Sequence, residues 1–143
     1  MHSLSRNDLG AEGAAALAPA LAANGRLTHV DVRHNNITGD GAAQLSAAVL
    51  GNLKIEMFNE IPIKEMRANS FTELDLKGKG IRFEGGLVVA GLIPVMGALT
   101  SLDLSDNSLC VIREWKYGRT YIAEGITAIA DALRVNGSLT KME

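Results

Sequence analysis

The stretch Leu99–Leu109, LTSLDLSDNSL, decides the fold. Leucines occupy its positions 1, 4, 6 and 11, and Asn107 occupies position 9. The alternation of Leu102 and Leu104 indicates a strand with one buried face. Because an asparagine amide can both donate and accept hydrogen bonds, we expect Asn107 to satisfy backbone groups where the chain leaves that strand.

The same pattern recurs along the chain. LTHVDVRHNNI (27–37) repeats all five positions, and FTELDLKGKGI (71–81) repeats four, with Lys79 in place of the asparagine. Partial copies at the two ends supply Leu4, Asn7, Leu9, Leu139 and Met142. The steps from Asn7 to Asn35 and from Leu76 to Leu104 are each 28 residues. A fixed period of this size predicts stacked repeats with a shared apolar interior, whose strands lie side by side in one sheet.

A helical pattern fills the second part of each repeat. Glycine recurs at 13, 41, 85 and 125, and apolar residues follow it four and eight positions later. These offsets predict four amphipathic helices. Small side chains five positions after each glycine are expected to let neighbouring helices stack closely; they are Ala18, Ser46, Ala90 and Ala130.

The pattern LxxLxLxxNxL, followed by a GAxALAxAL-type helix and an NGS-type turn, resembles the leucine-rich repeat family. The 28-residue period is similar to that of its ribonuclease-inhibitor-like subclass. This subclass includes Ran GTPase-activating proteins, the sensing ends of nucleotide-binding immune receptors and long arrays in unicellular eukaryotes. The resemblance implies one α/β domain over 1–143, a right-handed horseshoe segment of about five repeats. Five or six parallel strands would line its concave face, with four full helices on the convex face.

One repeat is shorter than the others. Val32 and Leu76 are 44 residues apart, whereas two full repeats would need 56, so the unit at about 50–70 is expected to be short. Two registers remain open for its core: Leu50, Leu53 and Ile55, or Leu53 with Phe58. We favour a strand near 53–58, followed by a short helical turn from Pro62 to about Met66. We expect the turn at Lys79 to be looser, or compensated by Gly78 and Gly80.

Another repeat carries an insertion of about twelve residues, CVIREWKYGRTY (110–121). Asn107 and Gly125 are eighteen residues apart, against six in the other full repeats. The insertion holds three of the six aromatic residues, and insertions in repeat proteins often form a binding face. Packing of these aromatics on the array itself is an equal alternative. We interpret Cys110 as a half-buried spacer.

The outward positions of the strands form an acidic column of Asp31, Asp75, Asp103 and Glu143. Their mutual repulsion could raise a pKa or attract a basic partner, although leucine-rich repeats commonly carry a polar residue there. The face around them is polar and mixed in sign, which favours protein recognition. The candidate protein-binding residues are Arg33, His34, Asp75, Lys77, Asp103, Asp106, Arg113, Trp115, Lys116, Tyr117, Arg119 and Tyr121.

Composition and motifs argue against other functions. The net charge of −2 gives no reason to expect nucleic-acid binding. The glycines of GKGIRFEGG (78–86) match the repeat turn, and His29 and His34 lack a zinc spacing, so no cofactor, metal or catalytic residue is predicted. A single cysteine favours an intracellular, cytoplasmic protein. The uncharged run at 85–102 fits the repeat, so no membrane insertion is predicted.

We therefore expect a non-catalytic interaction or scaffold module, not an enzyme. It would bind a protein partner through the concave face, the 110–121 insertion or its uncapped ends. The pattern opens and closes inside a strand motif, which fits either a piece of a longer array or a subunit that docks into a larger assembly. The resemblance also implies two alternatives, a GTPase-activating or regulatory protein and the sensing end of a nucleotide-binding receptor.

Overall fold

A computed structural model describes residues 2–115 and 118–143, with the side chains of residues 3–110 and 123–143. Strands and helices alternate along most of the chain, as the repeat predicts. In order they are β1 (His2–Ser3), α1 (Gly10–Ala23), β2 (His29–Asp31), α2 (Gly39–Gly51), β3 (Met57–Phe58), α3 (Ile63–Arg67), β4 (Glu73–Asp75), α4 (Phe83–Leu92), β5 (Ser101–Asp103), β6 (Val111–Trp115), β7 (Gly118–Ile122), α5 (Glu124–Leu133) and β8 (Lys141–Met142). A 3-10 turn at Ile93–Val95 extends α4.

Six short strands pair in parallel, in two sheets. The first sheet has the order β1-β2-β3 and the second β4-β5-β8. Equivalent repeat positions lie opposite each other, for example Val30 beside Phe58 and Leu74 beside Leu102. The prediction of one sheet holding Val32, Leu76 and Leu104 is therefore wrong, since the ladder is interrupted between β3 and β4.

Two residues explain the interruption. After Phe58 the chain enters the left-handed region at Asn59 (φ 50°) and Glu60 (φ 64°). Left-handed residues cannot continue an extended strand, and Phe58 and Ile61 instead pair with each other across the turn. β3 therefore ends after two residues, and β4 begins a separate sheet. We call the region where the two sheets meet the joint, comprising Arg33, Asn59, Glu60, Lys79 and Glu84.

The apolar interior continues across the joint. One cluster of buried side chains runs from Ala14 in α1 to Ala132 in α5. Its largest fully buried members include Leu45 from α2, Phe58 from β3 and Phe83 from α4. The expectation of a shared interior is confirmed, although the backbone ladder above it is not continuous.

The helices pack in sequence, α1 on α2, α2 on α4 and α4 on α5. Three of the predicted small residues are buried, but Ala130 on α5 is exposed. Close approaches of backbone lie instead at two of the repeat glycines. A Cβ on Gly41 would lie 2.0 Å from the Ala11 carbonyl oxygen, and one on Gly125 would lie 2.7 Å from that of Leu109. The glycine therefore lets backbone approach, from the neighbouring repeat at Gly41 and from the turn of its own repeat at Gly125.

The shortened repeat has a register that the sequence analysis did not identify. Ile55 and Phe58 are fully buried and lie 28 residues after Leu27 and Val30, whereas Leu53 is 78% exposed. Both predicted registers used Leu53, so both are wrong at that residue. Leu50 belongs to α2, and the short unit runs over residues 55–70. The expected short helix is present as α3, which begins directly after Pro62.

Asparagines join the turns of successive repeats, as expected. Asn35 Oδ1 accepts the N–H groups of Asn7 and Leu9 at 2.7 and 3.2 Å, and its Nδ2 donates to the carbonyls of Leu4 and Val32 at 2.8 and 2.9 Å. Asn107 makes the equivalent contacts with the carbonyls of Leu76 and Leu104 and the N–H of Ile81. Their structural role is confirmed.

Within residues 2–115 and 118–143, no helix combines the length and apolarity that a membrane span requires. The uncharged run at 85–102 is accounted for by α4, the 3-10 turn and the start of β5. The prediction that this run follows the repeat is confirmed.

Candidate interaction surface

The acidic column has a local structural role. Asp31, Asp75 and Asp103 each accept, through Oδ1, the backbone N–H two residues later, at 3.0, 2.9 and 2.8 Å. Ser3 occupies the same repeat position and its Oγ accepts from Ser5 N at 3.4 Å. A short side-chain acceptor at this position therefore stabilises the turn after each strand.

The expectation that mutual repulsion raises a pKa in this column is wrong for two of its members. A hydrogen bond from the Arg33 side chain holds the pKa of Asp31 below its usual value. Hydrogen bonds from the hydroxyl and N–H of Ser105 lower the pKa of Asp103. Donors on neighbouring residues therefore outweigh repulsion along the column, and both groups are carboxylates at neutral pH.

A groove lies over the second sheet, between its strands and solvent. Its volume is about 310 Å³, and it is open to solvent. It is lined by Glu73, Leu74, Asp75, Ser101, Asp103, Lys141 and Glu143. Lys141 Nζ pairs with the Glu143 carboxylate, which raises the pKa of the ammonium group. The groove is polar and carries more carboxylates than ammonium groups, so the predicted residues Asp75 and Asp103 lie together in one acidic surface.

Arg33 lies at the joint, away from this groove. Its guanidinium is 2.8 Å from Asp31 Oδ2 and 3.0 Å from Glu60 Oε1, and it donates to the Lys79 carbonyl at 3.1 Å. These contacts connect the first sheet to the turn that lacks an asparagine. The expected compensation at Lys79 therefore comes from Arg33, together with Gly78 and Gly80 at φ 63° and 70°.

His34, Lys77 and Asp106 are exposed on the turns that follow the strands. His34 and Asp106 adopt φ values of 62° and 56°, as Arg6 and Gly78 do at the same repeat position. Lys77 Nζ and Asp106 Oδ2 lie 3.5 Å apart, whereas His34 lies in the other half of the chain. The structure therefore brings together some of the predicted residues and leaves others apart.

The insertion contains an antiparallel hairpin. Strands β6 and β7 pair with Arg113 opposite Thr120 and Trp115 opposite Gly118. Arg113, Trp115, Arg119 and Tyr121 have described backbone positions in these strands, and Lys116 and Tyr117 lie outside the described residues. Cys110 comes just before the hairpin and is a half-buried free thiol, as expected.

Metal binding has little support in the part of the chain that the structure describes. No three histidine, cysteine or carboxylate groups are close enough there to hold a metal ion. His29 is instead part of a small cavity of about 50 Å³ at the joint, lined also by Val30, Asp31, Arg33, Met57 and Glu60. Its Nδ1 lies 2.9 Å from the Thr28 hydroxyl.

A second set of asparagines was not identified from the sequence. Asn52 Nδ2 donates to the carbonyls of Leu21 and Asn24 at 2.7 Å each, which holds the end of α1. Asn136 Nδ2 donates in the same way to the carbonyls of Ile93 and Met96. The 28-residue spacing of Asn24 and Asn52 was the available signal.

Family comparisons agree with the observed repeats. One leucine-rich repeat model matches residues 3–18 and 26–46, and a second matches residues 98–115. These segments contain Ser3 of β1, all of β2 and β5, and the turns that follow these strands. The matches support assignment to the leucine-rich repeat family and imply a solenoid-type α/β fold. Leucine-rich repeat domains generally mediate protein–protein interaction. A comparison with curated proteins finds no match.

Proposed function

We propose that this chain is a non-catalytic protein-interaction module that binds a protein partner through the exposed face of its sheets and the β6–β7 hairpin. The observation that carries the proposal is the polar groove over the second sheet. Small-molecule sites are mostly enclosed and apolar, whereas this groove is open and lined mainly by charged side chains. Such a surface suits a polar segment of another protein.

The chemistry of the groove supports a binding role over a catalytic one. Asp75 and Asp103 are occupied with turn N–H groups, and Lys141 is paired with Glu143. A general acid needs a pKa near the working pH, and that of Asp103 is lowered instead. These groups present fixed charges to a partner.

Several finer features belong to the same proposal. The 28-residue period supports the ribonuclease-inhibitor-like subclass, in which the exposed sheet face would be the concave side of a horseshoe. The single cysteine supports an intracellular, cytoplasmic setting, and the resemblance to long repeat arrays of unicellular eukaryotes supports a eukaryotic one. Leu4, which directly follows β1, and Met142 in β8 are 38% and 45% exposed, which supports a role for the ends in a larger assembly.

A capture experiment with matched variants tests the proposal. The wild-type chain, the groove variant Asp75→Asn/Asp103→Asn and the hairpin variant Trp115→Ala/Tyr117→Ala are immobilised, and bound proteins are compared by quantitative mass spectrometry. Asparagine keeps the Oδ1 acceptor of each turn and removes only the charge. We expect at least one bound protein to be lost with the groove or the hairpin variant.

The control is Glu12→Gln/Asp131→Asn, which removes two exposed carboxylates from helices α1 and α5. It matches the groove variant in net charge but leaves the sheet face unchanged. We expect it to retain the captured protein. Equal recovery with all four proteins would overturn the proposed surface.

A further inference from the structure

An acidic residue precedes the repeat glycine in all four long helices, but only one of the four is buried. The residues are Glu12, Asp40, Glu84 and Glu124. Three are exposed, as expected for acidic residues in the first turn of a helix, where the helix dipole favours negative charge. Glu84 in α4 is 2% exposed. Its position faces the shortened repeat, and a Cβ on the adjacent Gly85 would lie 3.3 Å from Ile61 Cδ1.

The carboxyl group of Glu84 links α4, the helix that follows β4, to the first sheet through the Asn59 side chain. Its Oε1 accepts from Asn59 Nδ2 at 3.3 Å, and Asn59 Oδ1 accepts from Val32 N at 2.8 Å. Asn59 N also donates to the Val30 carbonyl at 3.0 Å. A continuous line of hydrogen bonds therefore runs from β2 through Asn59 to the first turn of α4.

This environment is unfavourable for a carboxylate. Glu84 Oε2 is buried and has no hydrogen-bond partner, and the hydrogen bond from Asn59 to Oε1 is long. A buried charge without compensating partners costs several kcal/mol, so such groups take their neutral form. Burial raises the pKa of Glu84 to about 7, as this geometry leads one to expect.

The charges that act on Glu84 do not reverse this effect. The backbone N–H of Glu84 and the charge of Arg82, two residues before it, favour the carboxylate, whereas Asp31 on β2 disfavours it. Arg33 is occupied with Asp31 and Glu60. The charged groups on the helices packed against α4 are exposed or bonded elsewhere; these are Asp40, Lys64, Glu65, Arg67, Glu124 and Asp131.

We propose that Glu84 is a pH-sensitive lock at the joint: its protonated form holds the two sheets together, and its ionisation weakens their connection. The exposed faces of the two sheets would then be held rigidly relative to one another in mildly acidic solution and less rigidly in mildly alkaline solution. This proposal concerns the coupling of the two sheets and does not depend on any partner.

The direction in which stability changes with pH follows from comparing Glu84 in the folded and the unfolded chain. In the unfolded chain the carboxyl ionises near its ordinary pKa of 4.5, and in the folded chain it ionises near 7. The folded state therefore binds the proton more tightly between these values. Its contribution to stability is fully present below pH 4.5 and is lost as the pH rises through 7.

Two measurements on the wild-type chain test the lock. A carboxyl-carbon NMR titration should place the midpoint of Glu84 near pH 7. Hydrogen exchange, corrected for its intrinsic pH dependence, should show faster opening at the Val32 and Asn59 amides at pH 8 than at pH 5. A Glu84 midpoint below about pH 5.5, where little of the carboxyl is protonated at neutral pH, would overturn the proposal.

A matched pair of variants isolates the effect. Between pH 5 and pH 8 the folded-to-unfolded ratio of the wild type should fall on the order of a hundredfold, because each unit of pKa difference corresponds to a factor of ten. In Glu84→Gln this pH dependence of the folded-to-unfolded ratio should disappear, whereas in Glu124→Gln it should remain. Groups that both variants leave unchanged contribute equally in all three proteins, so their contributions cancel in the comparison. An unchanged fall in Glu84→Gln would contradict the proposal.

Discussion

The regular turns and the joint satisfy the backbone N–H and carbonyl groups between repeats in different ways. At a regular turn one asparagine, Asn35 or Asn107, satisfies donors and acceptors of two successive repeats. At the joint the corresponding position is Lys79, and the contacts are divided among Arg33, Asn59 and Glu84. An amide is neutral and small, whereas two of the three replacements carry ionisable groups. Shortening one repeat has therefore made the region sensitive to charge.

The largest expected effect concerns the close approach of two full helices. In Gly41→Ala the new Cβ would meet the Ala11 backbone at 2.0 Å, so the α1–α2 contact must open. We expect a loss of about 3 kcal/mol in the free energy of unfolding, measured by urea denaturation. At the joint, Gly85→Ala would meet only side chains of Ile81 and Ile61, at 3.0 and 3.3 Å, and should cost about 1 kcal/mol.

The matched control is Gly51→Ala, which also lies in α2. A Cβ there meets nothing within 4 Å, so the change should be neutral or stabilise by about 0.5 kcal/mol. If Gly41→Ala were as mild as Gly51→Ala, the close helix contact would not exist in solution.

The second prediction concerns the regular turn. Asn35→Ala removes an acceptor for two N–H groups and a donor to the Leu4 and Val32 carbonyls, in a side chain that is 1% exposed. We expect a loss of about 2–3 kcal/mol in the free energy of unfolding. Asn7→Ala, at an exposed position, should lose about 1 kcal/mol or less. Equal losses would show that burial does not set the cost.

The third prediction concerns Arg67, which joins the shortened repeat to α2. Its guanidinium donates to the carbonyls of Ile55, Val49 and Leu50 at 3.0, 3.1 and 2.9 Å. Arg67→Ala should lower the free energy of unfolding by about 1–2 kcal/mol, since these carbonyls lose a charged donor. Lys64→Ala, in the same helix, removes only an exposed ion pair with Glu56 and should cause no measurable change. A similar loss in both variants would show that the bonds from Arg67 to these carbonyls do not set its cost.

The smallest effect is expected at the exposed side of the joint. Glu60→Gln removes one of two carboxylates from Arg33, which keeps its contacts with Asp31 and the Lys79 carbonyl. Because Glu60 is about half exposed, the free energy of unfolding should change by less than about 0.5 kcal/mol. Thermal unfolding of Glu60→Gln is compared with that of Arg33→Ala, which removes all three contacts and shows the loss expected when the whole cluster is absent. A larger loss in Glu60→Gln would show that the joint depends on this outer carboxylate.

The sequence was sufficient for the features that repeat and insufficient for those that do not. The period placed the strands, the four long helices and the roles of Asn35 and Asn107, because each is a local rule applied several times. The register of the short unit was missed because Leu53 looks like a core residue, although the 28-residue step from Leu27 leads to Ile55. The break in the sheet depends on two left-handed residues, Asn59 and Glu60, which no periodicity reveals.

The candidate surface also divides into residues whose placement follows from the repeat and residues whose placement does not. Asp75 and Asp103 were placed on one face by their repeat position, and the groove confirms that they are neighbours. Arg33 and His34 were grouped with them by position alone, but the interruption between β3 and β4 separates their half of the chain. The burial of Glu84 could not be expected from its sequence position, since Glu12, Asp40 and Glu124 share that position and are exposed.

The β6–β7 hairpin shows that one repeat tolerates a long insertion. About twelve extra residues are inserted after Leu109, between β5 and α5. Ser101 and Leu102 of β5 nevertheless pair with Lys141 and Met142 of the next repeat. The register between neighbouring repeats is fixed by their short strands, so the length of the connection beyond Leu109 is free to vary. This connection is therefore a natural grafting point, where an epitope or a binding loop can be displayed without disturbing its neighbours.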